Sequence, residues 1–191
     1  MGCFCSKQRP QIFEDPSLLS SRSRFTAKEV KKLNELFRQL GSTLVDDGFL
    51  NRDEFKLGLF QDSRQHSVIA DRLFDMFDSK HDGVIDFGEF IRCLSIFHPD
   101  TPQEEKAVFA FHLYDICQTG YIEKEEVKEM IVELLHESSL ILTDDIIQSI
   151  IDKTFEEVDT ERDGKIDIEE WKEFAARKPS LLRNMTIPFL K

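Results

Sequence analysis

The sequence is poor in most of what an enzyme, a secreted scaffold or a membrane channel requires. Its four cysteines fall as Cys3 and Cys5 at the start and Cys93 and Cys117 singly in the body, without the density or spacing of a disulfide framework. A reducing, cytosolic setting is expected. No apolar run approaches the roughly 18 residues of a membrane span, and Met1 to Arg24 holds no apolar stretch of a secretory leader. G-x-G-x-x-G, G-x-x-x-x-G-K-[ST], H-E-x-x-H and a nucleophile elbow are all missing and the five His are scattered, so no enzyme is expected. Basic charge is outnumbered as well, 25 Lys and Arg against 37 Asp and Glu, for a net charge of −12 and a pI near 4.9. Nucleic acid, which needs a basic face, is excluded as a partner.

What is present is a chain of 191 residues, 40% apolar and 32% charged, suited to one domain or two small lobes sharing a core. Its charge is unevenly placed. Residues 1–40 and 171–191 each carry +4, which leaves −20 on residues 41–170. So many carboxylates in a folded segment suggest that they are offered to a divalent cation.

The first residues read as an address. Met1-Gly2-Cys3-Phe4-Cys5-Ser6 fits the M-G-x-x-x-[ST] pattern, in which Gly2 is myristoylated after Met removal. One such chain binds membranes only marginally, with an association constant of about 10⁴ M⁻¹, so a palmitoyl thioester on Cys3 is what would make anchoring stable. Cys5 could carry another. A zinc half-site is the competing reading of Cys-x-Cys, but no His or further Cys lies within 60 residues of Cys5. Residues 7–24 then read as a polar tether.

The body repeats one unit four times. Gly48, Gly83, Gly120 and Gly164 are each followed two residues later by Leu50, Ile85, Ile122 or Ile166 and six residues later by Glu54, Glu89, Glu126 or Glu170. The unit matches D-x-[DN]-x-[DN]-G-x5-E, a helix, a twelve-residue oxygen-rich loop and a helix, which is the calcium-binding EF-hand. Calcium takes six to eight oxygens at about 2.3–2.6 Å, supplied at loop positions 1, 3, 5, 7 (through a carbonyl), 9 and 12, with glycine at 6 for the bend.

Loop four offers Asp159, Glu161, Asp163, the Lys165 carbonyl, Asp167 and Glu170, and is expected to bind calcium. Loop two keeps Asp78, Asp82, the Val84 carbonyl, Asp86 and Glu89 but has Lys80 at position 3, which removes a ligand and adds a cation, so weaker binding is expected. Loop three offers Asp115, Thr119, the Tyr121 carbonyl and Glu126, with Cys117 at position 3. A thiol suits a hard cation badly, and a metal-free scaffold loop is the stronger reading. Loop one spans 14 residues from Gly41 to Glu54 and offers Asp46, Asp47 and Glu54, so backbone carbonyls would have to replace side chains. Pairing of the loops through Leu50–Ile85 and Ile122–Ile166 is expected.

Helix signals flank the loops. Thr26-x-x-Glu29 reads as a capping box ahead of Val30, Leu33, Leu36, Phe37 and Leu40. Thr101-Pro102-x-Glu104 is expected to open another helix, and Thr143-Asp144-Asp145 to cap one with Ile147, Ile150, Ile151, Phe155 and Val158 on one face. The seventeen Phe are assigned to helix-pair packing rather than to any groove.

Across residues 25–190 these features resemble the plant calcineurin B-like calcium sensors. The resemblance rests on the 14-residue first loop, the gaps of 23, 25 and 32 residues between loops, the Met-Gly-Cys-Phe start and the closing Leu182-Arg-Asn-Met-Thr-Ile-Pro188-Phe189-Leu190 run. It implies an all-α fold of four EF-hands in two lobes with short β pairing between paired loops. The expected division is a lipidated tether over 1–24, hands one and two over 25–98, hands three and four over 99–179, and an extension over 180–191. The resemblance also implies a partner, a calcineurin B-like-interacting serine/threonine kinase whose autoinhibitory helix would lie in a groove. Lipidation would place the chain at the cytosolic face of the plasma membrane, with other endomembranes or the cytosol as alternatives, and magnesium is a competing ion. A calcium buffer and a phosphatase regulatory subunit are the rival readings. The family's tail with a Phe-Pro-Ser-Phe motif has no counterpart here, so regulation through its phosphorylation is not expected.

Overall fold

A computed structural model describes residues 15–44, 47–60, 67–138 and 140–186. Gly2, Cys3, Cys5, Asp46 and the Pro188–Leu190 run lie outside the described residues. In chain order the elements are α1 (Pro16–Ser21), α2 (Ala27–Gly41), β1 (Leu50–Asn51), α3 (Arg52–Phe60), α4 (Val68–Phe77), β2 (Val84–Ile85), α5 (Phe87–Leu94), α6 (Gln103–Tyr114), α7 (Lys124–Ser138), α8 (Asp144–Val158) and α9 (Ile168–Arg177), with 3-10 turns over Ser95–Phe97 and Pro179–Met185. The all-α expectation holds, with four helix-loop-helix units arranged in two pairs.

Each pair is closed by the residue two after the loop glycine. Leu50 pairs antiparallel with Ile85 and Asn51 with Val84, so β1 and β2 join loops one and two. Ile122 and Ile166 form the equivalent bridge, exchanging N–H···O=C bonds of 2.8 and 3.0 Å. The four side chains are buried, and each pair of loops faces outward from its own core. In the first pair Phe37, Phe55, Phe74, Phe77 and Phe90 meet ring to ring at 5.2–6.0 Å around Leu50 and Ile85. In the second, Phe111, Ile147, Ile151, Phe155, Trp171 and Phe174 surround Ile122 and Ile166, and the Trp171 indole N–H donates to the Ala107 carbonyl at 2.8 Å. These phenylalanines pack the helix pairs.

The capping box on α2 is present as expected. The Thr26 N–H donates to Glu29 at 2.7 Å, the Glu29 N–H donates to the Thr26 hydroxyl at 3.3 Å, and Val30, Leu33 and Phe37 turn inward. Leu36 belongs to the same apolar spacing yet stays exposed, as does Ile150 on α8, because the neighbouring helices cover a narrower stripe than the periodicity offers. Thr143 stands at the head of α8 but gives no side-chain cap. Thr101 does not cap α6 either, since its hydroxyl donates to the Ser95 carbonyl at 2.6 Å, and α6 starts after Pro102.

The tether expected over residues 7–24 is corrected for its described part. Pro16 at the first helical position and Asp15, which accepts the Ser17 N–H at 2.9 Å, start α1. That helix places Leu19 in a small core with Phe25, Val30, Leu33 and Ile91. Arg24 then reaches Glu105 at the head of α6, 2.8 Å away.

Candidate metal centres

Loops two, three and four share one backbone shape. Position 4 is left-handed in each, as His81, Gln118 and Arg162 with φ of 53°, 56° and 58°, and the glycine at position 6 has φ of 85°. A side chain is poorly accommodated at the second of these angles, which is why Gly164 is required between Asp163 and Lys165.

The carboxylates at positions 1 and 12 are held by the loop's own N–H groups. In loop four Asp159 accepts from Asp163 at 3.2 Å and Gly164 at 2.9 Å. Glu170 accepts from Thr160 at 2.7 Å and Glu161 at 3.0 Å with one oxygen and from Asp167 at 3.0 Å with the other. Asp167 in turn accepts the Glu169 and Glu170 N–H groups of α9, so positions 9 and 12 are also a capping box. Burial pushes the Glu170 carboxyl up, but the N–H groups of Glu161 and Asp167 and the donors of Thr160 outweigh it and hold it below the ordinary value. Asp163 accepts the Lys165 N–H at 2.9 Å, while the Lys165 ammonium leaves the loop for Glu123 of loop three, 3.0 Å away. Lys165 could thus contribute its carbonyl alone.

Among the described residues no three His, Cys, Asp or Glu side chains stand gathered around one metal position. In loop four the donors fit calcium by kind, with carboxylates at 1, 3, 5, 9 and 12 and a carbonyl at 7. The ion would supply the positive charge that lets five carboxylates share a small volume, and Glu170 would have to exchange N–H bonds for it.

Loop three repeats the frame without the donors. Asp115 accepts from Thr119 and Gly120 at 2.8 and 2.9 Å, and Glu126 from Cys117 and Glu123 at 2.8 and 2.7 Å. The Thr119 hydroxyl donates to the Tyr121 carbonyl at 3.2 Å, which engages the two oxygens of positions 5 and 7 with each other. Desolvation and the Glu126 charge raise the Cys117 thiol above its ordinary pKa, so it remains a neutral thiol. These residues do not fit a hard cation.

In loop two Asp78 accepts from Asp82 at 3.1 Å and Gly83 at 2.8 Å, and Glu89 from Lys80 and Asp86 at 3.0 Å each. Asp82 accepts the Val84 N–H at 3.3 Å. The Lys80 ammonium pairs with Asp86 and lies 3.7 Å from Glu89. That hydrogen bond to Asp86 raises the lysine pKa. Burial pushes the Asp86 carboxyl up, but Lys80 and the Glu89 N–H together hold it low.

Loop one differs because it is longer. Gly41 ends α2 where an added Cβ would lie 2.5 Å from the Phe49 carbonyl oxygen, so the chain folds back against the helix end. Glu54 accepts from Leu44 at 3.2 Å and Asn51 at 3.1 Å, and Asn51 accepts the Glu54 N–H at 3.0 Å. Asp47 accepts the Phe49 N–H at 3.0 Å. Asn51 takes the capping role of Asp86 and Asp167, a role that ligand spacing does not reveal, although its place three before Glu54 signals it.

Family comparisons agree with this geometry. The EF-hand domain pair family matches residues 104–176, and the EF hand family matches residues 69–94. Calcineurin B-like protein 5 of Arabidopsis thaliana is 52% identical over 192 residues, covering 100% of this chain and 95% of its own. The calcineurin B protein of Schizosaccharomyces pombe is 36% identical, with 89% and 91% covered, and that of Naegleria gruberi 34% identical, with 90% of each covered. Four paired hands with a 14-residue first loop are what this chain folds into. The chain belongs to the calcineurin B-like family of EF-hand calcium sensors.

Proposed function

We propose that the chain is a calcium sensor anchored by acyl groups on Gly2 and Cys3, and on Cys5 where it is modified, at the cytosolic face of the plasma membrane. Loaded with calcium, it recruits and activates a calcineurin B-like-interacting serine/threonine kinase. The observation that carries this reading is loop four, whose oxygen donors are complete, set in a chain that aligns end to end with a calcineurin B-like protein. A surface suited to an amphipathic helix supports the partner. Helices α7 and α8 leave Leu134, Ile146 and Ile150 exposed, and their connection leaves Leu140 and Ile141 exposed. Among the described residues no helix is long and apolar enough to cross a membrane, so the acyl chains carry the anchoring.

The likeness to calcineurin B favours a second reading, a regulatory subunit of a calcineurin-type phosphatase. Pull-down with immobilised helices from the kinase and from the phosphatase, with calcium in millimolar magnesium and with chelator, separates the two. Calcium-dependent capture by the kinase helix is expected. Preference for the phosphatase helix assigns the second reading, and capture by neither, with binding of calcium intact, leaves a buffer. For the anchor, a Gly2→Ala protein is expected to leave the membrane fraction of cells, and its retention there would remove that half of the proposal.

A further inference from the structure

Loop two carries a cation at position 3, where a calcium-binding loop supplies an oxygen ligand. Lys80 stands at that position, and its ammonium, on a half-exposed side chain, reaches back to carboxylates of its own loop. There it pairs with Asp86 at position 9 and lies 3.7 Å from the second oxygen of Glu89 at position 12. The first oxygen of Glu89 accepts the Lys80 N–H and the Ser79 hydroxyl, both at 3.0 Å. Asp78 is meanwhile held at 3.1 and 2.8 Å by the N–H groups of Asp82 and Gly83. In loop four, by contrast, position 3 is Glu161, and the one lysine, Lys165, sends its ammonium away to loop three.

We propose that Lys80 is a built-in cation. Its ammonium takes the place of the metal between positions 9 and 12, so hand two binds no calcium and keeps its shape and its pairing with hand one at any calcium concentration. A divalent ion entering the loop would meet one ligand fewer and a like charge beside the two carboxylates it needs most. The tethered charge already neutralises part of the cluster that would otherwise repel itself, which is the work a metal does elsewhere. The hand stays joined to loop one through Leu50–Ile85, so the first lobe has a fixed half and the calcium response is left to other hands.

The test is a calcium titration of the full unacylated chain in magnesium-free buffer, by calorimetry and by the amide resonances of Gly83 and Gly164, which sit at position 6 of their loops and report each separately. In the unmodified chain Gly164 is expected to shift on loading and Gly83 to stay in place, and Asp86→Asn, which keeps the helix cap, is expected to leave the stoichiometry unchanged. Lys80→Asn restores an oxygen at position 3 and removes the charge. It is expected to add one calcium per chain and to make Gly83 shift as Gly164 does. A Gly83 shift in the unmodified chain matching that of Gly164, a site lost in Asp86→Asn, or a Lys80→Asn protein that gains no site would each overturn the proposal.

Discussion

The carboxylate of Glu133, on the helix that leaves loop three, caps the helix that leads into loop two. It accepts the N–H of Val68 at 2.9 Å and of Ile69 at 3.4 Å, and the Ser67 hydroxyl donates to it. Ser67 itself accepts the Ala70 N–H at 3.0 Å. The first turn of α4 is thereby satisfied by a residue 65 positions away, from the other pair of hands. Further along α4, Arg72 donates to the His112 carbonyl at 2.8 Å near the end of α6. The two lobes are thus joined through helix ends.

Replacing Glu133 should therefore cost more than a surface residue does. A negative charge and a cap at a helix N-terminus contribute about 1–2 kcal/mol together. Glu133→Ala is expected to lose that amount in urea unfolding, and Glu133→Gln, which keeps an acceptor but no charge, about half. A Glu133→Ala protein as stable as its parent would show that the lobes are held by other contacts.

A second link, between α3 and α4, sets a pH dependence. Asp71 accepts from Lys56 at 2.8 Å and from Arg52 at 2.9 Å, and Arg52 also reaches Asp75 at 2.6 Å while lying over the Phe74 ring. Burial pushes the Asp71 carboxyl up, but Lys56 and Arg52 outweigh it and hold it below its ordinary value of 3.8. A depressed carboxylate stabilises the fold above its unfolded pKa and loses that contribution as pH falls through the folded one. The groups are partly solvated, so about 0.5–1 kcal/mol is expected at neutral pH. Asp71→Asn should be less stable by that amount at pH 7, and the gap should close below about pH 4. A gap that persists unchanged at pH 3 would place the effect in shape rather than charge.

Much of this could be read from the residues because the repeat carries its own local instructions. The apolar residue at position 8 forecast both Leu50–Ile85 and Ile122–Ile166, and Thr26 with Glu29 forecast the start of α2. The donors at 9 and 12 had a further use as helix caps, in Asp86–Glu89 and Asp167–Glu170, that ligand counting overlooks. What stayed illegible depends on distant partners. Helix α1 is only six residues long, and Leu19 gains its place from Phe25, Val30 and Ile91 rather than from periodicity. Ile150 shares a face with Ile147 and Ile151, yet which of the three is covered depends on helices far along the chain. Glu133 announces nothing locally, since its use lies at Val68. Lys80 announced a charge at position 3, but only the fold shows where the ammonium goes.

Gly41 tests the unusual first loop. Alanine in a helix is favoured over glycine by up to about 1 kcal/mol, which would argue for a stabilising change. Here the added methyl would meet the Phe49 carbonyl oxygen at 2.5 Å, and that atom is backbone, unable to turn aside. Overpacking of this kind costs about 1–3 kcal/mol, so Gly41→Ala is expected to lower the thermal midpoint despite its propensity. Gly58 offers the contrast, since its nearest neighbour is the Leu40 side chain at 2.7 Å, a flexible end. Gly58→Ala should be the milder of the two, and the reverse order would mean that the fold-back of loop one is not what excludes a side chain at Gly41.

Glu170 ought to decide the calcium response of loop four. Its two oxygens divide the work, one accepting from Thr160 and Glu161, the other from Asp167. Glutamine can reproduce the first arrangement, but its amide nitrogen would then face the Asp167 N–H, donor against donor. The ion would also lose the charge and one of the two oxygens of its bidentate ligand. Glu170→Gln is expected to weaken loop-four calcium binding by at least about tenfold, while fold stability falls by only about 1 kcal/mol. Thr160→Ala, which removes only the hydroxyl 3.1 Å from Glu170, is expected to change binding far less. Calorimetry on the three proteins checks both statements, with the Gly164 amide reporting the loop itself. An affinity unchanged in Glu170→Gln would mean that calcium is held by other hands, and the donor set of loop four would no longer identify the sensor's input.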